Sequence, residues 1–230
     1  MRSSDQATLA RVLLSLAIVY LVIVRANPFV TIALIAIAFV TDGVDGYLAV
    51  REASSGGVSF LTYLKSSLGN AKAQSIVRPI KEGISQTAPH GARIDVAGDR
   101  VIEYSFWILF TYLRIIPVFV FLFVMIRHAF ADALMGSRGT SSRMKTWFAK
   151  AVYSSNISRA SVNILKFAAF SYLVLVYVSN YPALPGYLLV AALFTMIMMR
   201  GAAEIYESLP SSSEKKNKTG RGNPPKKSRR

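Results

Sequence analysis

The chain has 230 residues, of which 53% are hydrophobic and 17% are charged, and its formal net charge at pH 7 is +15. The charged residues cluster between long apolar runs, which is typical of a membrane protein and argues against a soluble domain with an evenly mixed surface. Cysteine is absent, so disulfides and thiolate metal sites are excluded.

Six segments have the apolar character expected of membrane-spanning helices, which need roughly 20 residues. They are residues 9–24, 28–40, 91–113, 116–134, 162–178 and 183–199, and the second continues into the polar segment around Asp42. The sequence therefore predicts an all-α integral membrane protein with six transmembrane helices, whose membrane domain covers residues 1–209.

Two segments are too polar to span a membrane. Residues 52–90 form an insert in which four apolar residues recur at helical spacing, Val58, Leu61, Leu64 and Leu68. This insert is either a short helix in the membrane interface or an ordinary solvated loop. Residues 210–230 are basic and rich in serine and proline, which predicts a disordered tail. We expect this tail to touch anionic lipid or to enforce topology, and no nucleic-acid partner is expected.

Basic residues accumulate on one side of a six-span arrangement. Outside the tail they are Arg2, Arg11, Arg138, Arg143, Lys145, Lys150 and Arg159. Because lysine and arginine are enriched in cytoplasmic loops, both termini are predicted to be cytoplasmic, in a multi-pass protein of the cell membrane. An odd number of spans would place the basic tail outside.

Four aspartates lie at the predicted cytoplasmic ends of the second and third spans. Asp42 and Asp45 are three residues apart and Asp95 and Asp99 are four apart, so each pair shares one helix face. We expect these spans to be antiparallel neighbours, with the two pairs facing each other at one depth. Carboxylates gathered in this way recruit hard cations such as Mg²⁺, Mn²⁺ or Ca²⁺, and two bridged ions suit phosphoryl transfer.

An alternative is that the aspartates merely end helices in water, although ionisable residues at membrane depth are usually functional. Gly46 and Gly91 each lie four residues from an aspartate. A missing side chain there lets a ligand approach the backbone, or lets helices pack closely. Glu103, four residues past Asp99, is expected to brace the site or to pair with a base.

Residues 42–49, DGVDGYLA, and residues 91–99, GARIDVAGD, together resemble the signature of the CDP-alcohol phosphatidyltransferases. That signature reads D-x2-D-G-x2-A-R-x8-G-x3-D-x3-D, and all four aspartates, both glycines and the alanine match. The phosphatidylglycerophosphate synthase branch is the most similar. Two features depart from the pattern: Val50 stands at the arginine position, with Arg51 one place later, and the insert replaces the eight-residue spacer.

The resemblance implies a transferase of phospholipid biosynthesis with the family's six-span fold. A CDP-linked lipid would bind with its diphosphate on two ions, Mg²⁺ or Mn²⁺, while the hydroxyl of a small alcohol attacks the lipid-side phosphorus and CMP leaves. It implies that Asp42, Asp45 and Asp95 are metal ligands, and that Asp99 is the general base as well as a ligand. It also implies a homodimer.

The same resemblance places Gly46, Ala49 and Gly91 along the nucleotide pocket. Arg51 would contact the diphosphate there, although a shift of one residue turns its side chain by about 100° around the helix. The insert offers replacement cations, which are Lys65, Lys72, Arg78 and Lys81.

The acceptor alcohol is suggested by a weaker similarity. Arg127, His128 and Arg138 are similar to the Arg-Glu and later Arg of the phosphatidylglycerophosphate synthase branch, and residues 144–147 to its Gly-Lys-x-Lys-Thr loop. A phosphorylated acceptor needs fixed cations. The candidates are Arg127, Arg138, Arg143, Lys145 and Arg159, which the positive-inside rule alone would also explain. Glycerol 3-phosphate is the first choice and inositol phosphate the second.

Two other classes of protein are considered. A transporter usually holds its acidic residues near the midplane on broken helices, whereas these aspartates lie at one edge. A non-catalytic adaptor with a basic tail would not need all four aspartates. The pattern therefore favours an enzyme.

Overall fold

A computed structural model of the chain describes residues 3–87, 89–136, 146–147 and 156–208. Within these ranges the backbone forms eight α-helices and no β-strand. The helices are α1 (Ser3–Ile23), α2 (Pro28–Ala53), α3 (Phe60–Ser67), α4 (Ala71–Thr87), α5 (Pro89–Tyr112), α6 (Val118–Gly136), α7 (Asn156–Ser179) and α8 (Ala183–Ser208). The predicted all-helical class is confirmed. The tail, residues 210–230, lies outside the described residues.

Four helices are long and apolar enough to cross a membrane, which supports the prediction of a membrane protein. The corresponding segments are Gln6–Ile23, Pro28–Ala53, Ala160–Ser179 and Ala183–Tyr206. Large apolar side chains on these helices are exposed, among them Leu13, Phe29, Ile164 and Leu188. Such side chains are expected to face lipid. The predicted third and fourth spans fall on α5 and α6, and the total of six spans stays a prediction.

Tight turns follow α1, α5 and α7. Arg25, Arg114 and Asn180 adopt positive φ angles of 52°, 57° and 54°, the left-handed conformation that ends many helices. The next helix then begins at once: the Asn27 carboxamide oxygen accepts hydrogen bonds from the first backbone N–H groups of α2. These short links bring consecutive helices side by side.

The packing order differs from the expectation that the second and third spans are direct neighbours. Among the described residues, α1 packs extensively against both α2 and α5, and these two helices are not a major packing pair. Gly98 permits the close approach of α1, because a β-carbon there would clash with the Thr8 side chain. The long insert between α2 and α5 removes the short-link constraint that would otherwise have kept them adjacent.

The insert is helical and carries a small core of its own, separate from that of the bundle. Val50 of α2 is buried with Val58, Tyr63 and Val77 of the insert, and the aromatic ring of Tyr47 packs against this cluster. The insert therefore contains helices in place of the solvated loop, and α4 was not predicted. Because α4 also contacts α5, the insert lies beside both aspartate-bearing helices.

Candidate active site

A cavity of about 50 Å³ opens where four helices meet. Its polar lining residues are Arg11 of α1, Asp99 and Glu103 of α5, and Asn163 and Lys166 of α7. Ala38 and Phe39 contribute the wall from α2. The cavity therefore joins the two aspartate-bearing helices, which face it from different sides.

Asp99 lies at this cavity and is paired with a buried arginine. Arg11 Nη2 donates a hydrogen bond to Asp99 Oδ1 at 2.8 Å. The Arg11 side chain is 2% exposed, whereas that of Asp99 is 46% exposed. The arginine is thus fixed inside the bundle, while the carboxylate it holds stays accessible from the cavity.

The other three aspartates are placed by helix register alone. Asp42 lies one turn after Ala38, which lines the cavity, and Asp45 is three residues further along α2. Asp95 lies one turn before Asp99 on α5. By helix register, Asp42 and Asp45 share a face of α2 with Ala38, and Asp95 shares a face of α5 with Asp99.

A second acid of the cavity, Glu103, is buried at the centre of a charged network. Lys166 Nζ donates to its Oε2 at 2.6 Å, and Trp107 Nε1 donates to its Oε1 at 3.4 Å. Arg100 Nη1 and His128 Nε2 lie 3.8 and 3.9 Å from Oε2. Glu103 thus pairs with a base, one of the two roles expected for it, and holds Lys166 at the cavity.

The network continues between α5 and α6 through a two-point ion pair. Arg100 donates from Nε and Nη2 to the two carboxylate oxygens of Asp132, both at 2.8 Å. A fork of this kind fixes the relative orientation of the two helices as well as their charges.

The predicted nucleotide-binding residues lie near the cytoplasmic end of α2 and at the start of α5. Gly46 faces the insert, since a β-carbon there would clash with the Tyr63 hydroxyl. Ala49 is half-buried, and Arg51 is exposed in the last turn of α2. Gly91 lies in the first turn of α5. Tyr63 of the insert, and not Arg51, therefore lies against Gly46.

The predicted acceptor-phosphate residues are only partly described. Arg127 of α6 donates a hydrogen bond from Nη2 to Glu204 of α8, and both side chains are buried. The Arg127 side chain passes close to Gly201, where a β-carbon would clash with it. Arg159 lies near the start of α7. Arg138, Arg143 and Lys145 lie outside the described residues.

Sequence reasoning assigned no site role to Arg11 or Lys166. Arg11 was interpreted as a topological charge near the N-terminus, although it lies three residues after Thr8 on the buried face of α1. Lys166 lies inside an apolar segment, and a lone cation in such a segment is a signal for a buried partner or a site. The partners could not be named, because Asp99 and Glu103 are distant in sequence.

One comparison with known proteins found a match, and it lies in the N-terminal part of the chain. The model of the CDP-alcohol phosphatidyltransferase family matches residues 1–55. The match supports that family. It covers α1 and α2, including Asp42, Asp45 and Gly46, and ends where the insert begins. Neither a curated protein nor a solved structure matches the chain.

This family domain indicates a phosphotransferase that moves a phosphatidyl group from a CDP-alcohol to an alcohol. The chain is therefore an enzyme of phospholipid biosynthesis embedded in a membrane, which leaves the transporter and adaptor alternatives without support. Members of the family generally depend on divalent metal ions. The half-exposed Asp99 carboxylate offers a hard oxygen donor of the kind that such ions take. Among the residues whose side chains the structure describes, no group of three or more acids or histidines is placed to hold an ion.

Proposed function

We propose that the chain transfers a phosphatidyl group from a CDP-linked lipid to glycerol 3-phosphate and releases CMP, as in the phosphatidylglycerophosphate synthase branch. The observation that carries this proposal is the cavity shared by α1, α2, α5 and α7, with Asp99, the buried Arg11 and the partly buried Lys166 on its walls. Carboxylates at the cavity could hold metal ions that bind the diphosphate, and the neighbouring cations could bind the phosphate of the acceptor.

The four aspartates are the proposed metal ligands. Asp42, Asp45, Asp95 and Asp99 would hold two ions, Mg²⁺ or Mn²⁺, across the gap between α2 and α5. The bound ions neutralise the diphosphate and stabilise the charge that develops on departing CMP. The helical spacing of each pair supports this assignment, because it puts both carboxylates on one face.

Asp99 is the proposed general base. Its carboxylate accepts the proton of the acceptor hydroxyl as that oxygen attacks the phosphorus. Arg11 supports this role because its Nη2 donates a hydrogen bond that fixes one carboxylate oxygen, Oδ1.

The acceptor phosphate is proposed to bind basic residues on α6, on α7 and in the segment between them. These are Arg127, Arg138, Arg143, Lys145 and Arg159. Arg127 is oriented by its ion pair with Glu204. Glu204 would thus take the part of the glutamate that the family pattern has at the position of His128. Lys166 adds a further cation at the wall of the cavity.

Six spans, with both termini and the site on the cytoplasmic face of the cell membrane, are part of the proposal. α5 and α6 contain 24 and 19 residues, lengths that cross the hydrocarbon. Arg100 of α5 and Asp132 of α6 form an ion pair between these helices, which lowers the cost of placing both charges in lipid. The exposed face of α6 is apolar: Phe119, Phe123, Ile126 and Phe130. We further propose that the enzyme is a homodimer.

The test is turnover by purified protein. CDP-diacylglycerol, Mg²⁺ or Mn²⁺ and a panel of alcohols are supplied, and CMP and the lipid product are measured. We expect CMP release with glycerol 3-phosphate and loss of it with chelator. Release with inositol phosphate alone would assign the second acceptor. No release with any alcohol would overturn the proposed function.

A further inference from the structure

The insert covers the face of α2 on which the family pattern places its arginine. Gly46 and Val50 are four residues apart and share that face. Val50, at the arginine position, is 1% exposed and packs in the small core with Tyr63. The Tyr63 ring also closes on Gly46: its hydroxyl would clash with a β-carbon there, and its Cζ would lie 3.4 Å away.

Arg51 does not lie on this covered face. It follows Val50 directly, so its side chain leaves the helix about 100° further round. It is exposed in the last turn of α2, where its backbone carbonyl accepts hydrogen bonds from Ser54 Oγ and Gly56 N. The cation that the pattern would place beside Gly46 must therefore come from elsewhere.

One basic residue of the insert is held next to the Gly46 face. The Lys81 ammonium lies over the Tyr63 ring, 4.7 Å from its centroid. Arg78 is directed instead to the exposed carboxylate of Glu82, at 3.0 Å. Lys65 and Lys72 are exposed on α3 and α4. Among the described basic residues of the insert, Lys81 alone has a recorded contact with the residue that covers Gly46.

We propose that Lys81, positioned by the Tyr63 ring, binds the diphosphate of the CDP-lipid in place of the family's arginine. This inference rests on the proposed function. The ring attracts the ammonium through its electron-rich face, which restricts a flexible side chain that would otherwise sample many positions. An ammonium retains hydrogen-bond donors for phosphate oxygens while it lies over a ring. Tyr63 is thus a positioning residue and Lys81 a substrate-binding one.

The first experiment replaces the charge and measures binding separately from turnover. Lys81→Gln should weaken the binding of CDP, measured calorimetrically with Mg²⁺ present, and raise KM for CDP-diacylglycerol, each about tenfold, with kcat within about threefold. Lys81→Arg should retain both parameters. Glu82→Gln, which removes an exposed charge next to Lys81 on the same helix, is the matched control. Equal CDP affinity in Lys81→Gln and wild type would overturn the proposal.

The second experiment separates the ring from the hydroxyl. Tyr63→Phe keeps the ring and should keep CDP affinity, whereas Tyr63→Leu should reproduce the loss seen in Lys81→Gln. Wild-type affinity in Tyr63→Leu would remove the positioning role. A wild-type protein that binds CDP but releases no CMP would refute the proposed function and leave this binding test intact.

Discussion

The contact between α5 and α7 has two parts that differ in chemistry: an aromatic end around Phe106, Phe110 and Phe170, and a charged end at Glu103 and Lys166. Toward the short links, Phe106 and Phe110 of α5 stack with Phe170 of α7, with ring centroids 5.0 and 6.1 Å apart. Toward the insert, Glu103 of α5 meets Lys166 of α7 at 2.6 Å. Phe106 and Phe110 are fully buried and lie outside the cavity lining, whereas Phe170 also forms part of the cavity wall.

The charged end is costly, since buried ions lose hydration that pairing only partly restores. The charged residues border the cavity that Asp99, Arg11 and Lys166 line. A functional site in this cavity would explain why the cost of burying them is tolerated. The comparison predicts that substitutions at the charged end reduce turnover, and that substitutions of Phe106 or Phe110 reduce stability alone.

The largest expected effect comes from removing the base. Asp99→Asn should lower CMP release at least about a hundredfold, because positioned general bases commonly contribute that much or more. The protein should still insert and elute as wild type does from size-exclusion chromatography in detergent. Glu82→Gln, which changes an exposed acid of α4, is the control. Turnover like wild type in Asp99→Asn would remove Asp99 from the base role.

The next effect tests the buried partner of Asp99. Arg11→Met should lower kcat about tenfold, because the Asp99 carboxylate loses the hydrogen bond from Arg11 Nη2 that orients it. Arg11→Lys should recover only part of this loss, since a lysine keeps the charge but places its donor differently from the guanidinium. Initial rates at saturating substrates measure the effect. An unchanged kcat in Arg11→Met would limit Arg11 to a topological charge.

The sequence was sufficient to locate most of the long helices and insufficient to locate their ends. The helices at the predicted first, second, fifth and sixth spans were found because their apolar runs are long. Their ends were not, because α2 continues through Asp42 and Asp45 to Ala53. Hydropathy locates the part of a helix that lipid surrounds, and a helix does not end where its side chains become polar.

The missed features have separate causes. α4 contains Pro79 and several basic residues, a composition that conceals a helix. The aspartate pattern indicated a candidate site because its spacing is local. Pairs such as Arg11 with Asp99, 88 residues apart, depend on which helices pack together. The packing of α1 against both α2 and α5 was the decisive unknown.

A smaller effect on turnover, and a large one on stability, is expected for Glu103→Gln. Breaking a buried ion pair leaves Lys166 uncompensated, which costs about 3–5 kcal/mol of unfolding free energy. Adding Lys166→Met should recover part of that free energy. Denaturant unfolding in detergent micelles measures both variants. Equal stability of Glu103→Gln and wild type would show that the lysine has enough water around it to stand alone.

The aromatic end should respond in the opposite way. Phe110→Leu should reduce the free energy of unfolding by roughly 1–2 kcal/mol, because the buried Phe110 ring stacks with Phe170 and does not line the cavity. Its kcat and KM for CDP-diacylglycerol should stay within about twofold of wild type. The same unfolding and rate assays apply. A tenfold loss of kcat with an intact fold would mean that the two ends are not separate in function.

The smallest effect is expected from removing the basic tail. A chain ending at Leu209 should retain turnover in detergent within about twofold, because the tail's charges act on lipid surfaces and not on the chemistry. The full chain in the same micelles is the control. Complete loss of activity would place part of the tail in the site.

The central claim is that α2 and α5 bring their aspartates together around metal ions that hold a diphosphate. The most direct measurement is Mn²⁺ binding followed by electron paramagnetic resonance, with and without CDP, in wild type, Asp42→Asn and Asp99→Asn. The account predicts tighter Mn²⁺ binding when CDP is present, and a loss of that gain in both variants, since each removes a ligand from one shared site. CDP-linked Mn²⁺ binding that survives in either variant would contradict a site built from both helices.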